Sequence, residues 1–476
     1  MRLSHTLGQT SATFDDPNLV SAGGLVPVLA LAESAGLADL ADEHVSVPTD
    51  KGANPGLKVA SLVAGMIAGA DCIDDMSLLR HGGMGRVFDR AYAPSTLGSF
   101  LRAFTFGHVR QLDAVASRFL INLAGHTQLV ATANGHEAAT GDHGYALLDV
   151  DDTIIEVHGH AKQGAGFGYS GVRGLNALLA TSSRTGSAPV VVAQRLRKGA
   201  CGSPRGAKRI IADAVKTTGR LVGGSLPVLV RMDSAFYTRG AIHAARKGGA
   251  AVSVTVRMNT AVKKAISAIG DDGWTPIEYT DAIFDEETNT WISRAEVAEI
   301  PFTAFASAKK ADRVPGRLVV RRIPDFNADR NKAAGQDTLF DVWRFHAFFT
   351  TTDTAVFDTV AADKTHRHHA VIEQVHADLK NSALAHLPSG KFHANAAWLV
   401  LAVMAFNLTR AAATLTSTEL AKATTATIRH KLITVPARVA TSARRITVHL
   451  PRDWPWENAW SAMFDRVSDP PALLAA

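Results

Sequence analysis

Cysteine is nearly absent from this sequence, which has Cys72 and Cys201 among 476 residues. So few cysteines exclude a disulfide-stabilised scaffold and a zinc ribbon built on cysteine ligands. The N-terminus lacks a basic segment followed by an apolar one, which argues against a secretion signal. The longest apolar runs, at 59–70 and 396–406, are shorter than the roughly 20 residues of a membrane-spanning helix. We therefore expect a soluble cytoplasmic protein with no membrane partner.

Charge of one sign is not in large excess either. The chain has 50 Lys and Arg against 44 Asp and Glu, a formal net charge of +6, which alone is a weak indication of a nucleic-acid partner. The excess is local, because residues 361–452 hold 12 Lys and Arg against 4 Asp and Glu. A composition of 46% hydrophobic and 20% charged residues is that of a globular protein and excludes a disordered one.

The chain is longer than one hydrophobic core usually supports, which predicts two or three domains. Residues 1–140 lack strand alternation and predict a helical N-terminal region. In 141–260 strand patterns alternate with helical ones, which predicts an α/β sheet that is partly parallel. Short strand patterns between acidic and Gly/Asn loops predict a β-rich insertion at 261–340. The α/β pattern returns at 341–415, and a tail follows at 416–476.

Hydrophobic periodicity and turn signals also predict the individual elements. Strands are predicted at 146–156, 189–194, 226–232, 250–256, 274–279, 291–300, 318–323, 342–352 and 446–450. Helices are predicted at 25–40, 57–67, 205–221, 238–247, 365–384, 395–413 and 454–464, with two more within 96–125.

Acidic residues occupy positions where metal ligands are expected. Asp149 and Asp151 alternate with apolar residues in the first strand, so both carboxylates lie on one face. Asp233 follows a buried strand at its carboxyl end, where α/β sheets bind ligands. Glu373 lies on a helical segment. By i+3, i+4 and i+7 spacing it shares a face with four other residues, which are His366, His369, His376 and Lys380.

These carboxylates have two interpretations. Each one alone fits an ordinary turn or helix cap. Together, three carboxylates from separate elements can hold two divalent ions about 4 Å apart, a pair that supports in-line phosphoryl displacement. Oxygen ligands suit Mg²⁺ or Mn²⁺. His366, His369 and Glu373 could instead ligate zinc, although no compact zinc motif is present, and a solvated or DNA-facing helix surface is the alternative for the histidines.

With these residues placed, the sequence resembles the DDE-type insertion-sequence transposases of bacteria, which have a ribonuclease-H-like core. The resemblance spans about 145–412 and rests on three blocks. These are Leu147–Thr153 with Gly166–Ser170, then Val230–Phe236, then Glu373 and Lys380 followed by Asn395–Ala402 and Phe406–Arg410. It implies an α/β fold with a ribonuclease-H-like mixed sheet, a β-rich insertion between the second Asp and the Glu, and helical regions at both ends.

The resemblance also implies the catalytic groups. Asp151, Asp233 and Glu373 would be the catalytic residues and would bind two Mg²⁺ or Mn²⁺ ions, with no small-molecule cofactor. Asp151 is preferred to Asp149 because the family's first Asp precedes x-Thr. Lys380 matches the family's Lys seven residues after the Glu, which contacts DNA phosphate.

Further DNA contacts are expected around the Glu helix, from Arg231, His366, Arg367 and His369. The family signature has Tyr and Arg where this chain has His366 and His369, and His is only partly charged at neutral pH. A basic run at 195–220 opposes only Asp213 and is either a solvated face or a phosphate contact.

Two tryptophans in the insertion have two candidate roles. Core packing is the ordinary one for Trp274 and Trp291. In the related transposases the insertion helps to hold a DNA hairpin or a flipped base, so an exposed Trp there could stack on a base.

These observations predict a transposase that binds terminal inverted repeats and target DNA and acts by cut and paste as a homodimer on DNA, in the bacterial cytoplasm at the nucleoid. The region before residue 140 is expected to bind the repeats. A metal-dependent nuclease with the same core and a catalytically inactive DNA-binding remnant are the alternatives.

Overall fold

The computed structural model describes residues 1–127, 129–130, 144–285, 290–324 and 343–469, without the side chains of 279–294 and 324. It contains a helical N-terminal region, a large mixed sheet and a mostly helical C-terminal part, so the expected fold class is confirmed. The expected boundaries at 140/141 and 340/341 lie outside the described residues.

The N-terminal region is helical, as predicted. Its helices are α1 (Leu25–Ser34), α2 (Leu37–His44), α3 (Pro55–Ala68), α4 (Met84–Val87), α5 (Pro94–Arg102) and α6 (Phe106–His126). The single helix predicted at 25–40 is divided in two because Gly36 adopts a left-handed conformation, with φ of 75°. A short strand, β1 (Leu19–Val20), precedes these helices.

The catalytic core predicted for 141–260 is an α/β layer. Its strands are β2 (Ala146–Glu156), β3 (Gly166–Phe167), β4 (Arg173–Ser183), β5 (Val190–Lys198), β6 (Val228–Met232) and β7 (Ala251–Thr255). Between them lie α7 (Ala207–Leu221) and α8 (Arg239–Lys247), and α9 (Thr260–Ile266) follows. Strands β2, β6 and β7 are parallel to one another, whereas β4 is antiparallel to both β2 and β5.

Strand β4 was not predicted from the sequence. Its Leu- and Ala-rich centre has no period-two alternation, because residues 174–183 are buried on both faces of the sheet. A central strand of this kind cannot be distinguished from a buried helix by hydrophobic periodicity alone.

The insertion extends the same sheet. Its strands are β8 (Thr275–Asp285), β9 (Thr290–Ala304) and β10 (Val314–Pro324), and β11 (Trp343–Thr350) begins the second part of the predicted core. The sheet order is β3-β4-β2-β6-β7-β11-β10-β9-β8, with β5 on the outer side of β4. Because β11 pairs with β7, the strands of the insertion continue the edge of the core and do not form a sheet of their own.

The C-terminal part contains α10 (Thr359–Arg367), α11 (Val371–Lys380), α12 (Phe392–Thr414), α13 (Thr418–Lys422), α14 (Thr425–Ile428) and α15 (Glu457–Ser468). A hairpin of β12 (Ala437–Ser442) and β13 (Arg445–His449) pairs with β1, which joins the two ends of the chain. Shorter turns complete the structure. They are the 3₁₀ segments Leu7–Gln9, Asp50–Gly52, Asp74–Leu79, Ser234–Phe236, Asp271–Gly273, Lys310–Asp312 and His368–Ala370, and the π-helix Arg429–Ile433.

Helix α12 is long and apolar enough to cross a membrane by length and composition, and it extends beyond the apolar run seen in the sequence. Its most apolar window is entirely buried inside the protein. Asn407 within it bonds the backbone N–H and C=O of Val191 on β5, at 2.9 and 2.8 Å. The helix therefore packs as a core element against the sheet.

The two faces of the sheet are covered by different helices. Leu148, Val150 and Met232 pack in one hydrophobic cluster with α7 and α8. On the other face, Leu147 and Leu229 pack with Phe357 and Ala362, beside and within α10. Because side chains alternate along a strand, Asp149 and Asp151 share the second face with Leu147.

Candidate active site

Asp151 and Asp233 are brought together by the pairing of two parallel strands. In the β2–β6 register, Asp149 lies beside Arg231 and Val150 beside Met232. One residue further, Asp151 in the middle of β2 and Asp233 just after the end of β6 are neighbours on the same face of the sheet. Strand β6 ends at Met232, and the Asp233 carboxylate accepts a hydrogen bond from the Ala235 N–H at 3.1 Å.

Both carboxyls have raised pKa values. Burial, with like charge from Asp233 and Asp152, raises the pKa of Asp151 to about 6. Burial also raises the pKa of Asp233. The charged forms of these two neighbouring carboxyls are disfavoured. A cation bound between them would stabilise the charged forms.

Asp149 lies on the same face but belongs to a buried ion pair. Arg231 donates from Nε and Nη2 to its two carboxylate oxygens, each at 2.7 Å, and both side chains are 0% exposed. His369 Nδ1 lies 2.9 Å from Asp149 Oδ1. Burial would raise the pKa of Asp149, but the Arg231 charge and the His369 hydrogen bond outweigh it and lower that pKa. Asp149 therefore anchors the sheet to the residues before α11.

Helix α11 runs beside the end of β2. Lys380 Nζ donates to Thr153 Oγ1 at 3.2 Å, and His376 Nδ1 lies 3.9 Å from Asp151 Oδ2. Burial, with positive charge from Lys380 and His369, lowers the pKa of His376 to about 4. The face that contains Glu373 thus borders the aspartates, while Ile372 and Leu379 pack into the interior as expected.

Glu373 itself projects into solvent. Its side chain is exposed in the first turn of α11. In the described part of the chain, the three carboxylates of Asp151, Asp233 and Glu373 do not all lie within 4.8 Å of one another. The structure therefore brings Asp151 and Asp233 together and leaves the Glu373 carboxylate outside their group.

A different cluster of possible metal ligands does have its ligand atoms this close together. Asp71, Cys72 and Asp75 have ligand atoms within 4.8 Å of one another, but they lie after α3 in the N-terminal region. Asp75 accepts a hydrogen bond from the Cys72 N–H at 3.3 Å, as a turn former does. This cluster does not include the predicted ligands.

One supporting network was missed from the sequence. Asp152 points to the face opposite Asp151, where Arg197 Nη2 lies 2.8 Å from its Oδ2 and Asn176 donates to the same oxygen. Arg197 Nε also donates to Asn176 Oδ1 at 2.9 Å. This buried network fixes the strand next to Asp151. It also removes Arg197 from the basic run considered for DNA contact.

Two of the expected DNA contacts are wrong for this structure. Arg231 is fully buried, and its remaining Nη1 donates to the Thr365 carbonyl. His366 bonds Ser253 Oγ and Thr255 Oγ1 at 2.8 and 3.0 Å through its two ring nitrogens and stacks on Phe348. Burial lowers its pKa well below the usual value. Arg231 has no solvent exposure, and both ring nitrogens of His366 have hydroxyl partners, so neither side chain is placed to bind a phosphate.

Two other expected contacts are half-buried and have acidic partners. His369 is held by Asp149, and Arg367 Nε donates to Asp363 Oδ2 at 2.8 Å. Lys380, by contrast, is exposed beside the aspartates.

The Trp274 ring faces a guanidinium. Arg322 Cζ lies 4.2 Å from the centroid of the Trp274 ring and 4.4 Å from that of Trp343, so the cation is held between two rings. Trp274 is half-buried, which favours packing over an open stacking surface. The side chain of Trp291 lies outside the described residues.

Comparison with known proteins identifies the family of the chain. No curated protein sequence matches the chain. The family described as Transposase DDE domain group 1 matches residues 7–471, nearly the whole chain. Its members carry out polynucleotidyl transfer and generally use divalent metal ions. The chain therefore belongs to the DDE transposase family.

Proposed function

We propose that this protein binds the terminal inverted repeats of an insertion element, cuts the DNA there and joins the freed end to a target by cut and paste. The observation that carries the proposal is the neighbouring position of Asp151, within β2, and Asp233, at the carboxyl end of the parallel strand β6. Lys380 borders this acidic pair with an ammonium group suited to a DNA phosphate.

The catalytic roles follow from the chemistry of the donors. Asp151 and Asp233 offer hard oxygen ligands, which fit Mg²⁺ or Mn²⁺. Glu373, exposed on the facing helix, would complete the set when its side chain turns inward. Two bound ions would activate a water or 3′-hydroxyl and stabilise the negative charge of the transition state. Asp151, Asp233 and Glu373 would hold them, and Lys380 would orient the phosphate.

The wider arrangement is part of the same proposal. The helices before residue 140 would recognise the repeats, the sheet and α11 would carry the chemistry, and two copies would assemble on DNA. The positive charge concentrated in 361–452 would hold the DNA backbone near the acidic pair.

The test is strand transfer by the full chain with a pre-cut oligonucleotide taken from inverted repeats bordering the gene. Asp151→Asn, Asp233→Asn and Glu373→Gln should each lower the rate about a thousand-fold, because the metal ions supply several kcal/mol of transition-state stabilisation. Asp312→Asn, at an exposed ion pair with Arg239, is the control and should keep the rate. Thermal unfolding should show that every variant folds.

The alternatives give different results. A nuclease with this core would hydrolyse the oligonucleotide and never join it to a target. An inactive remnant would bind DNA without Mg²⁺ or Mn²⁺ and show no activity for the substitutions to remove. Full strand transfer by Asp233→Asn would contradict the assigned ligands.

A further inference from the structure

One buried histidine beside Asp151 has an unpaired ring nitrogen. His376 lies on α11 and is 6% exposed. Its Nε2 is buried and has no hydrogen-bond partner in the described part of the chain. Its Nδ1 lies 3.9 Å from Asp151 Oδ2, which is too far for a hydrogen bond. Because buried polar atoms are nearly always paired, this imidazole calls for an explanation other than packing.

The distance between the two side chains fits ligands of one metal ion. A histidine nitrogen and a carboxylate oxygen each bind a divalent ion at about 2.1 Å, so two ligand atoms of one ion lie about 3–4 Å apart. The 3.9 Å between His376 Nδ1 and Asp151 Oδ2 falls within this range. The pair is therefore too wide for a direct hydrogen bond and suitable for a shared cation.

The other two histidines predicted on this helix face already have partners. His366 bonds two hydroxyl groups, and His369 Nδ1 lies 2.9 Å from a carboxylate oxygen of Asp149. Of these three histidines, His376 is the one whose nitrogens are available to a further ligand.

The helix also places His376 beside the predicted third carboxylate. Residues three positions apart on a helix share a face, and Glu-x-x-His pairs with this spacing bind divalent ions in helical di-metal proteins. Here Glu373 is exposed, whereas His376 lies against Asp151. In the described part of the chain, the ligand atoms of His376, Asp151 and Asp233 do not form one group within 4.8 Å. This assigns His376 to an ion on the α11 side of Asp151.

We propose that His376, through a ring nitrogen, is a ligand of the divalent ion that Asp151 binds on its α11 side. The inference rests on the proposed function, because it takes Asp151 to be a metal ligand. An imidazole suits first-row transition ions, whereas Mg²⁺ prefers oxygen ligands. Mn²⁺ is therefore the ion that this site should favour and the ion for the test.

The test is Mn²⁺ binding by the full chain without DNA, so that the result does not depend on strand transfer. Electron paramagnetic resonance measures the free Mn²⁺ and thus the affinity, and its pulsed form detects a ligand nitrogen by the coupling to the bound ion. His376→Leu should remove this coupling and weaken Mn²⁺ affinity at least about tenfold, because leucine offers no ligand atom.

Three controls accompany this variant. His158→Leu removes a highly exposed imidazole and should keep both the coupling and the affinity. Asp151→Asn should also weaken Mn²⁺ binding, which assigns the measured ion to this site. Thermal unfolding of His376→Leu without metal should match the wild type, because the ring has no hydrogen bond to lose there.

The possible outcomes separate this inference from the proposed function. A nitrogen coupling that persists in His376→Leu, or an unchanged Mn²⁺ affinity, would overturn the inference and leave the proposed function intact. A lower unfolding temperature of His376→Leu without metal would give the ring a packing role and would also overturn it. Mn²⁺ binding that Asp151→Asn does not weaken would instead contradict the ligands of the proposed function.

Discussion

At the residue scale, the ion pair of Asp149 and Arg231 illustrates how similar carboxylates acquire different roles. Asp149 and Asp151 are two positions apart on one strand face, but only Asp149 meets a guanidinium, at 2.7 Å and with no solvent exposure. Strand β6 ends at Met232, and the next residue, Asp233, occupies the position beside Asp151. Asp151 therefore lies beside another carboxyl and not beside a guanidinium. The neighbouring strand therefore decides which aspartate is structural and which is available to a metal.

Removing the cation of this pair should destabilise the protein strongly. Arg231→Met leaves the buried Asp149 charge without its main partner, and such losses cost about 3–5 kcal/mol. The double variant Asp149→Leu with Arg231→Met should recover much of that loss, since no unpaired charge remains. Urea unfolding of the full chain measures the free energy of unfolding.

Arg239→Met is the matched control, because its ion pair with Asp312 is exposed at the surface. It should cost less than about 1 kcal/mol. If Arg231→Met were no more destabilising than Arg239→Met, the buried pair would not have the structural role assigned to it.

At the scale of elements, the break between α10 and α11 changes the role of the histidines. The sequence predicts one helix at 365–384, on which His366 shares a face with Glu373. In the structure α10 ends at Arg367 and a 3₁₀ turn at His368–Ala370 precedes α11. The turn changes the helical phase, so His366 packs onto β7 while Glu373 stays in solvent.

The half-buried His366, held by two hydroxyl groups, should make stability depend on pH. Its folded pKa lies well below the unfolded value of about 6.5, so the unfolded chain binds more protons below pH 6.5. Its contribution to the free energy of unfolding is therefore present above pH 6.5 and is lost as the pH falls through that value. At pH 7.5 the free energy of unfolding should be higher for the wild type than for His366→Asn. This difference should shrink by about 1.4 kcal/mol when the pH is lowered to 5.5.

The measurement is urea unfolding of both proteins at the two pH values. His158→Asn is the control, because His158 has a highly exposed side chain and should give the same difference at both. If the difference in free energy of unfolding between the wild type and His366→Asn did not change with pH, His366 would not be held neutral in the folded state.

The elements also show what hydrophobic periodicity can resolve. Strand β2 was predicted with its observed bounds and β6, α7 and α8 within about two residues, because each has a one-sided or purely apolar pattern between clear turn signals. Strand β4 was missed, since its burial between β2 and β5 removes the alternation that identifies a strand. Its neighbours, and not its own residues, decide that it is extended.

At the scale of the whole molecule, positive charge is concentrated in particular regions of the chain. The hairpin of β12 and β13 carries Arg438, Arg444 and Arg445 and has no Asp or Glu. Arg444 and Arg445 are exposed at its turn. The small net charge of +6 is thus a sum over acidic and basic regions, and this hairpin is one of the basic ones.

Reversing charge at this hairpin should weaken DNA binding and its dependence on salt. The double variant Arg444→Glu with Arg445→Glu should lower the slope of log affinity against log salt by up to about 2, since each phosphate contact contributes about 0.9. Titration of a repeat-end duplex at several salt concentrations measures the slope. Lys309→Glu with Lys310→Glu, an exposed pair in the insertion, is the control, and an equal change there would contradict a specific role for the hairpin.

Fold class, family and candidate carboxylates are all readable from the linear chain, because they depend on hydrophobic period and on the order of short motifs. What each polar side chain contacts depends on tertiary packing instead. Arg231 and His366 are expected at DNA, but pairing of β2 with β6 buries Arg231, and packing of α10 on β7 engages both ring nitrogens of His366. Such contacts join residues more than 80 positions apart, and no local pattern encodes them. Asp151 and Asp233 likewise become neighbours only because β2 pairs with β6.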